Sequence, residues 1–249
     1  MSRTLLAFPS ALSSELLCYI LAQEAHQTTL IICHNHEAFM ESLQKNVSQA
    51  VHEQPAEKTL GGSNLLIKSQ TPSRQPQHAL ALLTPTIGQV AASQRTNVVF
   101  TPTLSHLRAF LAVFSHQNNP SYLPVSETTD SKIIPLLVLF GLVELHGESG
   151  QSNLQELGNT ISGLVEAGQR TESKILLVEP LRLNNIVSSD IQAVDSQRRR
   201  VWERRIPLIG SSVKYASPHY EENERTERTV EIKKVIEQWF EFVDHKWEN

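Results

Sequence analysis

The 249-residue chain predicts an α/β domain of three layers, with a mostly parallel central sheet and a β-rich C-terminal end. Three observations point there. Segments such as TTLIICH, NVVF, LLVLFGLVELH and KILLVEP are apolar along nearly their whole length, the pattern of strands buried on both faces of a parallel sheet. Stretches with apolar residues at helical spacing separate them, and alternating strands and helices build a sheet covered by helices. Beyond Pro180 the order changes to VWERRIPLIGSSVKY and TVEIKKVIEQWFEFV, rich in β-branched and aromatic residues.

Taken in order, TLLAFPSALSSELLCYILAQEA reads as strand, Pro/Ser turn, and helix through Leu16, Leu17, Ile20 and Leu21. TTLIICH and EAFMESLQKNVSQAV repeat the strand and helix. Residues 54–77, polar with Gly61, Gly62 and three prolines, read as loop around a short strand at NLLIK. HALALLTPTIGQVAAS reads as a helix interrupted near Pro85, NVVF as a strand, and LSHLRAFLAVFS as a helix starting after Pro102. Residues 117–130, a polar span, read as a surface loop. LLVLFGLVELH reads as one strand, GESGQSN as a turn, and the next helix shows a face of Leu154, Leu157, Ile161, Leu164 and Val165. KILLVEP closes an αβ core over residues 1–180, and a polar loop follows to Arg200. In residues 201–249, Ile232, Val235, Ile236, Trp239 and Phe240 fit a helix, while the β-branched content favours strands that finish the sheet. The whole chain reads as one domain.

Composition narrows the function classes. With 40% hydrophobic and 19% charged residues the chain buries a sizeable core near the upper end of single-domain length. Its longest apolar runs fall short of a bilayer span, and residues 1–18 lack a basic segment leading into a signal core. A soluble intracellular protein without a membrane partner is expected. Two cysteines, Cys18 and Cys33, without CxxC spacing fit a reducing compartment. The net charge of -4 offers no global attraction to nucleic acid, so any such binding needs a local basic patch.

In nucleotide-binding α/β domains the first turn is glycine-rich and carries a Lys, because backbone N–H groups must approach phosphate and a cation must neutralise it. Here that turn is FPSALSSELL. It has no Gly or Lys, and Glu15 brings like charge to the place of the phosphate. A Ser-capped helix, with Ser13 or Ser14 at the cap and Glu15 favourable on the helix dipole, is the simpler expectation. A strand that holds magnesium ends in an acid, whereas this one ends at Phe140, and a phenyl ring cannot ligate the ion. Glu144 nearby reads as a solvated carboxylate. No cofactor is expected.

With TLLAFPSALSSELL at the P-loop position, NVVFTPTLSHLRAFLAVF as a following strand and helix, PLLVLFGLVELH at the Walker B position and KILLVEP before a long loop, the chain resembles a family. That family is the RecA-like core of eukaryotic recombinase paralogues, particularly the degenerate members of Shu-type recombination mediator complexes. The likeness spans roughly Thr4 to Tyr215. It implies a RecA-like fold and a degenerate nucleotide site at Ser14, Glu15 and Phe140 with no ATPase activity. It also implies a loop at 181–200 that faces DNA, a paralogous partner and a nuclear location.

SQRRRVWERR gathers Arg198, Arg199, Arg200, Arg204 and Arg205 around Trp202. Guanidinium groups bind phosphates bidentately and an aromatic face stacks on a base, so this composition suits single-stranded or forked DNA. Arg182 joins it at the start of the loop. The amino-terminal strand and the aromatic end, Trp239, Phe240, Phe242 and Trp247, are the candidate partner surfaces. CHNH at Cys33, His34 and His36 has no second pair at ligand spacing, so no metal is expected. No GxSxG motif is present, and Ser149 falls in a turn. The leading expectation is a non-catalytic subunit that promotes recombinase filament assembly on DNA. The alternatives are a structural subunit of the hexameric Elongator subcomplex acting in tRNA modification, and an enzyme with an unfamiliar site in the same fold.

Overall fold

The computed structural model describes residues 5–23, 27–52, 80–115, 134–149, 153–182, 191–208, 228–244 and 247. Its centre is a six-stranded sheet of β1 (Leu5–Ala7), β2 (Thr28–Ile32), β3 (Thr96–Phe100), β4 (Leu136–Phe140), β5 (Lys174–Val178) and β8 (Glu241–Phe242). The strand order is β3-β2-β4-β5-β1-β8, and every neighbouring pair runs parallel. Parallel neighbours need crossovers, which α1 (Ser13–Ala22), α2 (His36–His52), α3 (Ile87–Gln94), α4 (Leu104–Val113), α5 (Leu142–Glu148) and α6 (Leu154–Arg170) supply. This is the α/β, three-layer architecture that the alternation predicts, and it is consistent with a RecA-like fold.

The period of two along each strand sorts the core into two halves. Leu30, Ile32, Val138, Phe140, Leu176 and Val178 pack with Leu16 and Ile20 of α1 and Phe39 of α2. The intervening Ile31, Leu137, Leu139, Ile175 and Leu177 pack with Leu107 and Leu111 of α4 and Ile161 and Leu164 of α6. All five residues of β2 and of β4 are buried, which is why these segments show no polar alternation. Each such side chain contributes about 1.5–3 kcal/mol of burial free energy.

Caps mark the helix starts. Thr86 accepts from Gln89 N while Gln89 Oε1 accepts from Thr86 N, and α3 begins just after Pro85, where the sequence predicts the break. Thr103 and Asn153 accept from the backbone at His106 and Glu156 to start α4 and α6.

Three local readings change. LLVLFGLVELH is not one strand: β4 stops at Phe140, Gly141 takes φ +92°, and Leu142–Glu148 is helix α5. The polar loop expected up to Arg200 is, from Ile191, the helix α7 (Ile191–Arg200). The C-terminal end combines both options. β6 (Arg205–Pro207) pairs antiparallel with β7 (Thr229–Glu231), α8 (Ile232–Ile236) buries Ile232, Val235 and Ile236, and β8 joins the sheet beside β1. The expected strand at NLLIK and the loop at 117–130 lie outside the described residues. No helix among the described residues is long and apolar enough to cross a membrane.

Candidate functional site at the carboxyl edge of the sheet

In a parallel sheet, ligands bind where the strands end and the helices begin. The first such place is the turn from β1 to α1. Phe8 N donates to Leu177 O at 3.0 Å, Ser10 N to Arg198 O at 3.2 Å, Ala11 N to Glu179 O at 2.9 Å, and Leu12 N to Glu15 Oε2 at 2.8 Å. With Pro9 lacking an N–H, every backbone donor from residue 8 to residue 12 has a partner inside the chain. Leu12 is the cap residue and the Glu15 carboxylate reaches back to it, so the expected Ser cap is corrected. Ser13 instead faces Ser42 at 3.3 Å, and Ser14 is buried.

Arg198 completes this turn. Its Nη2 lies 2.6 Å from Glu15 Oε1, and its Nη1 lies 2.9 Å from Glu15 Oε2 and 2.6 Å from Ser10 O. Glu15 is 3% exposed and Arg198 8%. A buried ion pair survives its desolvation cost only with such a bidentate match and further hydrogen bonds. Leu12, Leu181 and Val194 form a small apolar cluster that seats α7 on the turn. The anion at the start of α1 is thus the chain's own carboxylate, and its cation comes from α7.

The second place is the end of β4. Phe140 is buried and meets Phe39 edge-on at 6.2 Å. Gly141 follows, and a Cβ there would lie 2.5 Å from His34 Cε1. His34 Nε2 sits 2.9 Å from Glu144 Oε2, Glu144 also pairs with Arg182, and Arg182 reaches Glu148 at 3.7 Å. Glu144 is therefore a partnered, mostly buried side chain and not the solvated carboxylate expected. Burial holds the His34 imidazole below its ordinary pKa, with Glu148 opposing and Arg182 reinforcing the shift. Behind this group, Glu179 at the end of β5 is fully buried and accepts from Val143 N at 2.9 Å and Glu144 N at 3.4 Å. Burial pushes its carboxyl up to about 8 against the opposing Val143 N–H and the Arg204 charge. Cys33 is buried against Thr101, and burial pushes its thiol up. His36 turns away to the edge of Phe100. Among the described residues no three His, Cys, Asp or Glu side chains converge on a metal position.

The third place is the arginine segment that ends α7, where helix-end carbonyls favour cations. The structure separates its members. Arg198 is internal, as above. Trp202 is 3% exposed, packs T-shaped on Phe242 at 5.3 Å, and belongs to the core beneath α8. The expectation that these two side chains contact DNA is corrected by their burial. Arg182 is held by Glu144 and Glu148, and Arg199 reaches Asp244 at 3.4 Å. Arg200, Arg204 and Arg205 are exposed and form no ion pair within 4.0 Å among the described residues.

The aromatic end also divides. Trp239 is 39% exposed, whereas Phe240 is core. Phe242 lies between Trp202 and the Lys233 ammonium, which stands 5.5 Å over its ring. Trp247 is buried against Phe8 and Tyr19 and donates to Pro9 O. Of the candidate partner residues, Trp239 is the exposed one. The residues missed from sequence are His34 and Glu144 as a pair and Glu179. An acid closing the apolar run KILLVEP is the signal that could have found Glu179. No protein-family model matches the chain, and no curated protein matches it.

Proposed function

We propose that this chain is a non-catalytic RecA-like subunit of a Shu-type recombination mediator complex. It joins a paralogous RecA-like subunit, binds DNA and promotes recombinase filament assembly in the nucleus. The observation that carries the reading is the β1–α1 turn. A phosphate-binding turn offers free backbone N–H groups and a positive charge to its ligand. This turn spends its donors on Leu177, Arg198, Glu179 and Glu15, and its single guanidinium is neutralised by Glu15. Phe140 at the end of β4 supports the same reading, since it brings no ligand for magnesium. The fold is kept while the nucleotide chemistry is replaced by internal packing, as expected of a scaffold subunit.

The test is isolation of the native assembly after nuclease treatment, with its mass and composition determined. A small heteromer containing recombinase paralogues is the expected result. A six-membered ring with Elongator subunits would move the function to tRNA modification, and nucleotide retained through purification would overturn the non-catalytic reading.

A further inference from the structure

We infer that Thr84 is a phosphorylation site for a proline-directed protein kinase, which transfers the γ-phosphoryl group of ATP to its hydroxyl. Neither a paralogous partner nor DNA is needed for this.

The same tripeptide occurs twice, as Thr84–Pro85–Thr86 before α3 and as Thr101–Pro102–Thr103 before α4. Proline has no N–H, so a kinase cleft that offers no acceptor to the residue after the target hydroxyl selects proline there. In sequence the two copies are equivalent, and the fold separates them. Thr101 directly follows β3 and is 2% exposed; its N–H donates to Ile32 O at 2.8 Å, and its side chain lies against Ile32 O and Cys33 Sγ. A kinase reaches it only if the edge of the sheet opens. Thr86 and Thr103 use their hydroxyl oxygens as caps, accepting from Gln89 N and His106 N, and neither is followed by proline. Thr84 is exposed, and its hydroxyl forms no hydrogen bond among the described residues.

The local backbone suits a cleft that takes its substrate extended. Pro85 keeps the residue before it out of the helical region, and Thr86 lies at φ −74°, ψ 163°. Thr84 to Thr86 is thus a short link between the turn that Leu83 N closes on Leu80 O and the start of α3. In the transfer, the bond from Thr84 Oγ1 to the γ-phosphorus forms as the bond to the β-phosphate oxygen breaks. ADP leaves, and the hydroxyl proton passes to the catalytic aspartate of the kinase. The phosphate carries about −1.5 to −2 charge at pH 7. It stands just ahead of α3, at the helix end that favours anions. In the chain it falls between Leu83 and Ile87, which are 55% and 91% exposed, so an apolar stretch of surface becomes anionic without breaking a contact of the fold.

The test is incubation of the full folded chain with a proline-directed kinase and ATP, with sites assigned by mass spectrometry, beside synthetic peptides of residues 79–90 and 96–107. Both peptides are expected to be modified, at Thr84 and at Thr101. In the folded chain Thr84 is expected to react readily, and Thr101 about a hundredfold or more slowly than in its peptide, because local unfolding must come first. Thr84→Ser should still be modified at position 84, and Thr84→Ala should lose that modification with an unchanged circular dichroism spectrum. A folded chain left unmodified at Thr84 under conditions that modify its peptide would overturn the inference. So would a peptide 79–90 that is no substrate, or Thr101 reacting in the folded chain as fast as Thr84.

Discussion

Arg198 and Glu15 show what a single residue does when its partner lies 183 positions away. In sequence Arg198 is one of three consecutive arginines, and nothing local separates it from its neighbours. In the fold its fork closes on a carboxylate that also accepts from the backbone N–H of the cap residue Leu12, so charge pairing, capping and the seating of α7 meet at one side chain. Arg198→Ala would leave Glu15 buried and uncompensated, and the expected loss is about 3–5 kcal/mol in urea unfolding. Glu15→Gln combined with Arg198→Met should recover most of it, because the amide oxygen still accepts from Leu12 N and no naked charge remains. A double variant as unstable as Arg198→Ala would show that the contact to Ser10 O, and not the charge pair, holds the turn together.

At the scale of elements, legibility followed the source of each element's stability. The central strands were readable because burial on both faces imposes an apolar run, and α6 because its core face repeats at helical spacing. α5 was not, because Leu142, Val143 and Leu145 are as apolar as the strand before them and the break between the two rests on one backbone angle at Gly141. α7 was not, because IQAVDSQRRR is polar over most of its length and, among the described side chains, Val194 meets the small apolar cluster while Arg198 pairs with Glu15. Gly141 gives the sharper test. Gly141→Ala meets both a left-handed φ and the His34 ring, so it should cost about 1–3 kcal/mol and disturb the His34–Glu144 contact. Gly158→Ala, inside α6 where an added Cβ meets nothing within 4 Å, should instead gain about 0.5–1 kcal/mol from helix propensity. Thermal unfolding of the two variants side by side distinguishes a glycine required by geometry from one that is merely tolerated.

At the scale of the whole molecule, two buried titratable groups on opposite sides of the arithmetic set the pH dependence of stability. His146 is 2% exposed with neither ring nitrogen hydrogen-bonded among the described residues, and burial, reinforced by Arg108 and opposed by Glu156, lowers its pKa from 6.5 to about 4. The unfolded chain then binds the extra proton, so this group removes stability as pH falls from about 6.5 to about 4. Glu179 is raised from 4.5 to about 8, so here the folded chain holds the extra proton and stability is lost as pH rises from about 4.5 to about 8. Between about pH 4.5 and 6.5 the Glu179 slope opposes that of His146, and His34, also held below its ordinary pKa by burial, adds to the His146 side. From about 6.5 to 8 Glu179 acts alone, and the fall amounts to about 2 kcal/mol. Glu179→Gln removes that limb while keeping an acceptor for Val143 N, so the shape of the curve should invert: stability climbs from about pH 4 to 6.5 and then stays level to 8. Urea unfolding midpoints of the parent and the variant across this range measure it, and a parent curve that rises towards pH 8 would mean that Glu179 is ionised in the fold, with its two backbone donors outweighing its burial.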